Sequence, residues 1–148
     1  MPITGACRCG GVHYSVNMDA PPAVYACHCL HCQTWSGSAF AENFLVPQGA
    51  LEVNGPLVKW EGVNPSGAKS IQHFCSTCHT RLFNTSSRVP GMLVMRAGTL
   101  DQSDQLTLIA HIWVSRKQPW VTIPDGIPTW PQSPTPQEFA TVLSGTAR

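Results

Sequence analysis

Seven cysteines fall into three short clusters, and no other feature of the 148-residue chain limits its fold so tightly. Cys7-Arg8-Cys9 comes first, Cys27-His28-Cys29-Leu30-His31-Cys32 second, and Cys75-Ser76-Thr77-Cys78 third. A Cys-x-x-Cys turn brings two sulfurs onto one metal ion without strain. A Cys-x-Cys pair in extended chain does the same, because residues two apart point to one face. The central segment overlays both patterns on a shared Cys29. It offers three ligands and leaves a tetrahedral ion one position for water or substrate, as catalytic zinc sites do. The two outer pairs supply four ligands, enough to close a structural site. The seven cysteines are therefore read as four plus three, holding two zinc ions. Other readings stay open at this level. A disulfide framework leaves one thiol over. An iron–sulfur site, or a single structural zinc with spare thiols, fits the same spacing, which does not by itself choose the metal.

The chain has the length of one domain and can bury a core of its own, so metal acts as a local organiser rather than the whole source of stability. Only 11% of residues are charged and the formal net charge is +1. Seven thiolates and two zinc ions take it to about −2. Neither value, nor any basic run, fits an electrostatic nucleic-acid binder. The N-terminus has no charged n-region followed by an apolar h-region, and no apolar run approaches the roughly 18 residues of a membrane span. The expectation is a cytoplasmic protein with reduced or metal-bound thiols, no nucleic acid or membrane as partner, and no sequence mark of oligomeric state. Asn84-Thr85-Ser86 matches a glycosylation acceptor and is read as chance.

Thirteen prolines and twelve glycines break the chain about every ten residues. That spacing favours short strands joined by turns over long helices. Strands are expected over residues 12–16, 40–46, 70–74, 82–85 and 92–97, with weak alternation over 106–114. Leu51-Glu52-Val53 and Leu57-Val58-Lys59-Trp60 read as a hairpin about Asn54-Gly55. Asn64-Pro65-Ser66-Gly67 reads as a loop, and Gly98-Thr99-Leu100-Asp101 as a bend. Residues 129–148 form a Pro-rich C-terminal tail, with one short helix over Thr135–Leu143 that starts with Pro136 at its first position. The fold class is mainly β.

These motifs, in this order, resemble the glutathione-dependent formaldehyde-activating enzyme family, which includes centromere protein V-like domains. Gly5-Ala6-Cys7-Arg8-Cys9-Gly10 is similar to the family's opening Gly-x-Cys-x-Cys-Gly, and Cys27-His28-Cys29-Leu30-His31-Cys32 to its Cys-His-Cys-x-x-Cys. Ser36-Gly37 with Phe40, Phe74-Cys75-Ser76-Thr77-Cys78, Gly98-Thr99-Leu100-Asp101 and His111-Ile112-Trp113 resemble its later signatures. The resemblance spans residues 5–128, so that 1–128 is expected to be a single zinc-binding domain. It implies a β-tent fold of small antiparallel sheets organised around zinc sites, with little helix. It implies a structural zinc on Cys7, Cys9, Cys75 and Cys78 and a catalytic zinc on Cys27, Cys29 and Cys32. The implied reaction joins formaldehyde to glutathione as S-hydroxymethylglutathione, a carbon–sulfur lyase run in the synthetic direction; the partners are a small thiol and a small carbonyl. One position departs from the pattern: His79 stands where the family carries Gly after its last cysteine pair. Positive φ there suits His less well than Gly.

Around the central cluster, His28 is placed to relay a proton or to hydrogen-bond a neighbouring sulfur or the backbone. His31 lies inside the Cys-x-x-Cys turn and is expected to be exposed. His73 and His79 flank a pair that four thiols already satisfy. Trp35, Phe40, His111 and Trp113 are candidates for a substrate pocket, with packing as the plain alternative for each. Trp60, Trp120 and Trp130 are read as packing residues. Two other functions use the same features: a non-catalytic zinc-stabilised binding module, and a hydrolase or lyase acting through zinc-bound water on another small substrate. A pure scaffold gains nothing from a vacant ligand position, which favours an enzyme.

Overall fold

The computed structural model describes residues 2–64 and 67–145. Pro65 and Ser66 of the expected loop lie outside the described residues. In chain order the strands are β1 (Ile3–Ala6), β2 (His13–Val16), β3 (Ala23–Cys27), β4 (Ala41–Pro47), β5 (Leu51–Asn54), β6 (Leu57–Val63), β7 (Lys69–Cys75), β8 (Arg81–Ser86), β9 (Met92–Arg96) and β10 (Thr107–Ile112). The α-helices are α1 (Leu30–Ser36) and α2 (Pro136–Gly145). The mainly β expectation holds. Helix α1 is a correction, because the only helix foreseen was the C-terminal one. Seven residues are too few to show a helical period, and its N-cap is Cys29 rather than the usual Ser, Thr, Asp or Asn.

The chain divides into two compact units. One runs up to Pro22 and resumes from Phe44 to Leu106; the other takes Ala23–Asn43 and everything from Thr107. In the first, β1, β2 and β5 form a small antiparallel sheet, with Ile3 opposite Val16 and Tyr14 opposite Val53. Alternation along β2 buries Tyr14 and Val16 and leaves His13 exposed, the period-2 signal read from sequence. A second run of strands goes β4–β9–β8–β7–β6, antiparallel in its β9–β8–β7–β6 part. Phe44, Val46, Leu82 and Met95 are fully buried in this unit.

The expected hairpin over residues 51–60 is not formed. β5 pairs with β2, and β6 pairs with β7. The Asn54-Gly55 step does not make the primed turn, since among the described residues only His79 and Trp113 have positive φ besides glycines. Gly55 has another task. Its φ is 121°, and a Cβ there would lie 2.2 Å from the carbonyl oxygen of Gly11. The dipeptide marks a close backbone crossing rather than a turn between partners.

The second unit is built on β10–β3–β4. β3 and β4 are antiparallel, Cys27 opposite Ala41, whereas β10 and β3 run parallel, His111 opposite Ala26 and Ile112 opposite Cys27. Beyond β10 lies the Pro-rich segment. His111 donates its backbone N–H to Pro128 O (3.0 Å) and its carbonyl accepts from Trp130 N–H (3.0 Å). Val114 N–H donates to Trp130 O and Ser115 N–H to Pro131 O. Helix α2 starts at Pro136, as expected, with Thr135 Oγ1 accepting from Glu138 N–H and Glu138 Oε1 accepting from Thr135 N–H, a capping box. Phe139 on this helix meets Tyr25 edge-on at 4.8 Å.

Two tryptophans read as packing residues are instead exposed: Trp60 at 54% and Trp120 at 71%. Trp60 lies on β6, the last strand of its run, and its ring lies over the bare Cα of Gly62. Asn84 is buried in β8 and hydrogen-bonded to Arg96 and Ser70, so the glycosylation triplet is structural.

Candidate active site

Two groups of sulfurs form, and their membership is the one expected from the sequence. Cys7, Cys9, Cys75 and Cys78 make one, Cys27, Cys29 and Cys32 the other, with the ligand atoms of each group within 4.8 Å of one another. All seven cysteines are free thiols. Two sulfurs bound 2.3 Å from one tetrahedral ion lie about 3.8 Å apart. The observed contacts Cys7–Cys9 (3.6 Å) and Cys9–Cys75 (3.8 Å) fit that geometry. Both groups can hold a metal ion.

The four-thiol cluster is built by two backbone turns. After β1 the chain folds back, Cys7 N–H donating to Val12 O, and the Cys7 sulfur accepts from Val12 N–H (3.2 Å). At the end of β7, Cys75 Sγ accepts from the N–H groups of Thr77 (3.4 Å) and Cys78 (3.5 Å). Such donors fix the direction of the sulfur. The Thr80 hydroxyl, 3.2 Å from the Cys78 sulfur, and the Thr80 backbone pull that thiol down to about 5. His79 closes the turn in the left-handed conformation, φ 61°, with its N–H on Cys75 O. The turn that favours Gly is thus made with His. His73 is not a member of the cluster; it stacks on Phe83 at 4.2 Å.

The three-thiol cluster lies on one continuous segment. β3 ends at Cys27, and α1 begins after Cys29, whose sulfur caps the helix by accepting from Cys32 N–H (3.4 Å). Hydrogen bonds with Cys27 and Cys32 hold the Cys29 thiol far below its ordinary value, and hydrogen bonds with Cys29 and Cys32, with burial, push Cys27 well up. Among the described residues no fourth His, Cys, Asp or Glu ligand atom joins them. His31 is exposed on the first turn of α1.

His28 is fully buried and points at His111, Nε2 to Nδ1 at 2.9 Å. The parallel β3–β10 pairing delivers this contact, and His28 N–H on Ile112 O (3.0 Å) fixes its register. Burial, with the nearby His111 and Lys117 charges, lowers His28 to about 4; burial also lowers His111. Both imidazoles are neutral at pH 7, so one ring nitrogen donates to the other. His28 Nδ1 is buried with no protein partner among the described residues. Phe40 closes over the pair, 5.2 Å from the His28 ring and 6.4 Å from His111.

Of the four pocket candidates, Phe40 and His111 thus meet at His28. Trp35 sits exposed on α1 (37%). Trp113 follows β10 in the left-handed conformation, φ 58°, its indole N–H on Ser133 Oγ (3.0 Å). Gln33 and Gln118, which the sequence reading passed over, and Trp120, which it read as a packing residue, form a hydrogen-bonded chain. Gln33 Nε2 donates to His28 O (2.9 Å) and Arg116 O (3.0 Å), Gln118 Nε2 to Gln33 Oε1 (3.2 Å), and Trp120 Nε1 to Gln118 Oε1 (2.7 Å). Gln33 becomes visible only when α1 is known, one turn beyond Cys29.

A mainly β scaffold thus carries one group of four thiols and one of three, each able to hold a metal ion. The chain belongs to the glutathione-dependent formaldehyde-activating enzyme family, whose model matches residues 2–116. A Halomonas elongata protein provisionally described as a glutathione-dependent formaldehyde-activating enzyme is 28% identical over 131 residues, covering 83% of this chain and 82% of its own. A crystal structure of a Rhodobacter sphaeroides protein shares the fold, with TM-score 0.54 at 19% identity over 86% of this chain and 98% of that one. No helix among the described residues is long and apolar enough to cross a membrane.

Proposed function

We propose that this protein is a zinc-dependent carbon–sulfur lyase of the S-(hydroxymethyl)glutathione synthase type, adding the thiol of glutathione to formaldehyde or a related small carbonyl. The observation that carries this reading is the three-thiol cluster with no fourth protein ligand. Family membership and the relative's description support the same substrates. Cys27, Cys29 and Cys32 would hold the catalytic zinc; Cys7, Cys9, Cys75 and Cys78 would hold a structural one. Bound by three thiolates, zinc supplies the positive charge that keeps an incoming thiol deprotonated.

The chemistry asks two things of the chain. A thiolate sulfur donates its pair to the carbonyl carbon, the C=O π pair moves to oxygen, and that oxygen takes a proton. That proton is the one the glutathione thiol gives up, and His28, whose buried Nδ1 has no partner among the described residues and whose Nε2 is held by His111, would relay it from thiol to oxygen. Phe40 helps to keep water from the imidazoles. Holding thiol and carbonyl together removes an entropic barrier of several kcal/mol, up to roughly 7–11. The setting we propose is the reducing cytoplasm, where both the thiol substrate and the cysteines stay reduced.

Native mass spectrometry with and without glutathione, paired with an exchange assay of glutathione and formaldehyde, tests the reading. Two zinc ions, a glutathione adduct, and loss of adduct and exchange in Cys29→Ala are expected. One zinc ion with no adduct overturns it and leaves a zinc-stabilised binding module.

A further inference from the structure

Among the described residues β6 has β7 on one side and no strand on the other. An edge of this kind presents N–H and C=O groups that another strand can pair with. Sheet edges are commonly kept short, bulged or covered. β6 is seven residues long and pairs with β7 from Leu57 to Val63 without a register shift. It also exposes apolar side chains: Val58 at 44%, Trp60 at 54% and Val63 at 66%.

The order of the side chains says what fits beside them. Alternation puts Val58, Trp60 and Gly62 on one face, and Leu57, Lys59, Glu61 and Val63 on the other. A second copy of β6 laid antiparallel is related to the first by a two-fold axis through the sheet, the self-complementary arrangement of most dimers. That axis keeps each side chain on its own face, so it must centre on one residue. Centred on Lys59 or on Glu61, it sets that charge against its own copy, and like charges directly opposite repel. Centred on Val58 or Gly62, it sets neither charge against its opposite. Centred on Trp60, the whole strand overlaps. Lys59 then faces Glu61 of the second copy twice over, Leu57 faces Val63, and Val58 faces Gly62. The Trp60 ring lies over its own Gly62, 2.4 Å from where a Cβ would stand. The valine opposite that glycine therefore packs against the indole.

We infer that β6 is a homodimer interface, to which a second copy of this chain adds antiparallel, centred on Trp60, with two Lys59–Glu61 pairs fixing the register. Two short strands make an interface below the size of a stable complex, so the dimer is weak, with a dissociation constant in roughly the micromolar range. Leu57 lies opposite Cys75 on β7, so the added strand braces the flank of the four-thiol cluster. None of this depends on the proposed reaction.

The test is equilibrium sedimentation of the metal-loaded protein from micromolar to millimolar concentration. The parent chain is expected to pass reversibly from monomer to dimer. Lys59→Glu and Glu61→Lys each create two like-charged pairs across the axis, and each is expected to weaken the dimer at least about tenfold. Both positions are exposed, and both variants should keep the parent's zinc content. Mixed in equal amounts, the two variants are expected to dimerise at concentrations where neither does so alone, because each offers the other opposite charges at both positions. Only contact between chains in this register gives that rescue, whatever either change does within one chain. A parent that stays monomeric throughout overturns the inference and leaves the edge to a different partner. A dimer that neither change weakens, or a mixture that shows no rescue, also overturns it.

Discussion

The two cysteine clusters use the same two spacings to opposite ends. In the four-thiol cluster the Cys-x-Cys and Cys-x-x-Cys elements lie on separate segments; Cys9 and Cys75 are 66 residues apart in the chain, and their sulfurs 3.8 Å apart in space. An ion there closes a long loop. In the three-thiol cluster the same elements share Cys29 on one short segment. An ion there closes almost no loop, and sharing one residue is what costs the site its fourth ligand. Separate motifs make a staple; overlapped motifs make an open site.

The sharpest way to break this contrast is to remove one thiol from each. Cys75→Ser, at a fully buried sulfur, is expected to release one zinc ion and lower the melting temperature by about 10 °C or more, because structural metal binding is folding free energy. Cys29→Ser is expected to melt within a few degrees of the parent but to lose at least about 100-fold in activity. Calorimetry with a zinc count decides it: if Cys29→Ser melts as low as Cys75→Ser, the two clusters do not divide the work in this way.

A smaller effect is expected at His111. His111→Phe removes the partner of His28 while filling the space. Both metals should remain bound, and activity should fall about 10- to 100-fold, as for other residues that position a metal site. Unchanged turnover would show that the imidazole pair relays no proton in the reaction.

Smaller still is the strain beside the closed cluster. His79 pays for its φ of 61° in backbone energy. His79→Gly is expected to gain about 0.5–1 kcal/mol in chemical denaturation, after the greater flexibility of Gly in the unfolded chain is allowed for. A loss instead would mean that the His79 side chain supports the turn.

The least effect concerns Tyr14, in the same unit as the four-thiol cluster. Burial raises its hydroxyl, bonded to Thr99 Oγ1 at 2.7 Å, to about 12 from an ordinary value near 10. The folded state therefore keeps a proton that the unfolded chain loses, and stability falls as pH rises from about 10 to 12. Thermal melts across that range should show a decline that is shallower in Tyr14→Phe.

The clusters were legible because cysteine spacing is a covalent constraint that tertiary context can hardly override. The grouping of the cysteines followed from their count and from the family resemblance, and the terminal helix and most strands from local signals. Three things did not. Helix α1 is too short for periodicity and is capped by a thiol. Asn54-Gly55 carries a hairpin signature, yet its glycine is consumed by the approach to Gly11. Gln33 and Gln118 are 85 residues apart and meet only through tertiary structure; nothing local to either announces the contact.

The Pro-rich segment beyond β10 has a consequence for life at high protein concentration. A parallel-paired strand at the end of a sheet is a template on which another chain can add. Here His111, Val114 and Ser115 are already engaged by residues 128–131. The covering chain carries Pro128, Pro131 and Pro134, which have carbonyls to accept with but no N–H to offer onward. It engages the end of β10 at His111 and the turn that follows, and its prolines pass no N–H outward, so that end of the edge is a poor template for another chain.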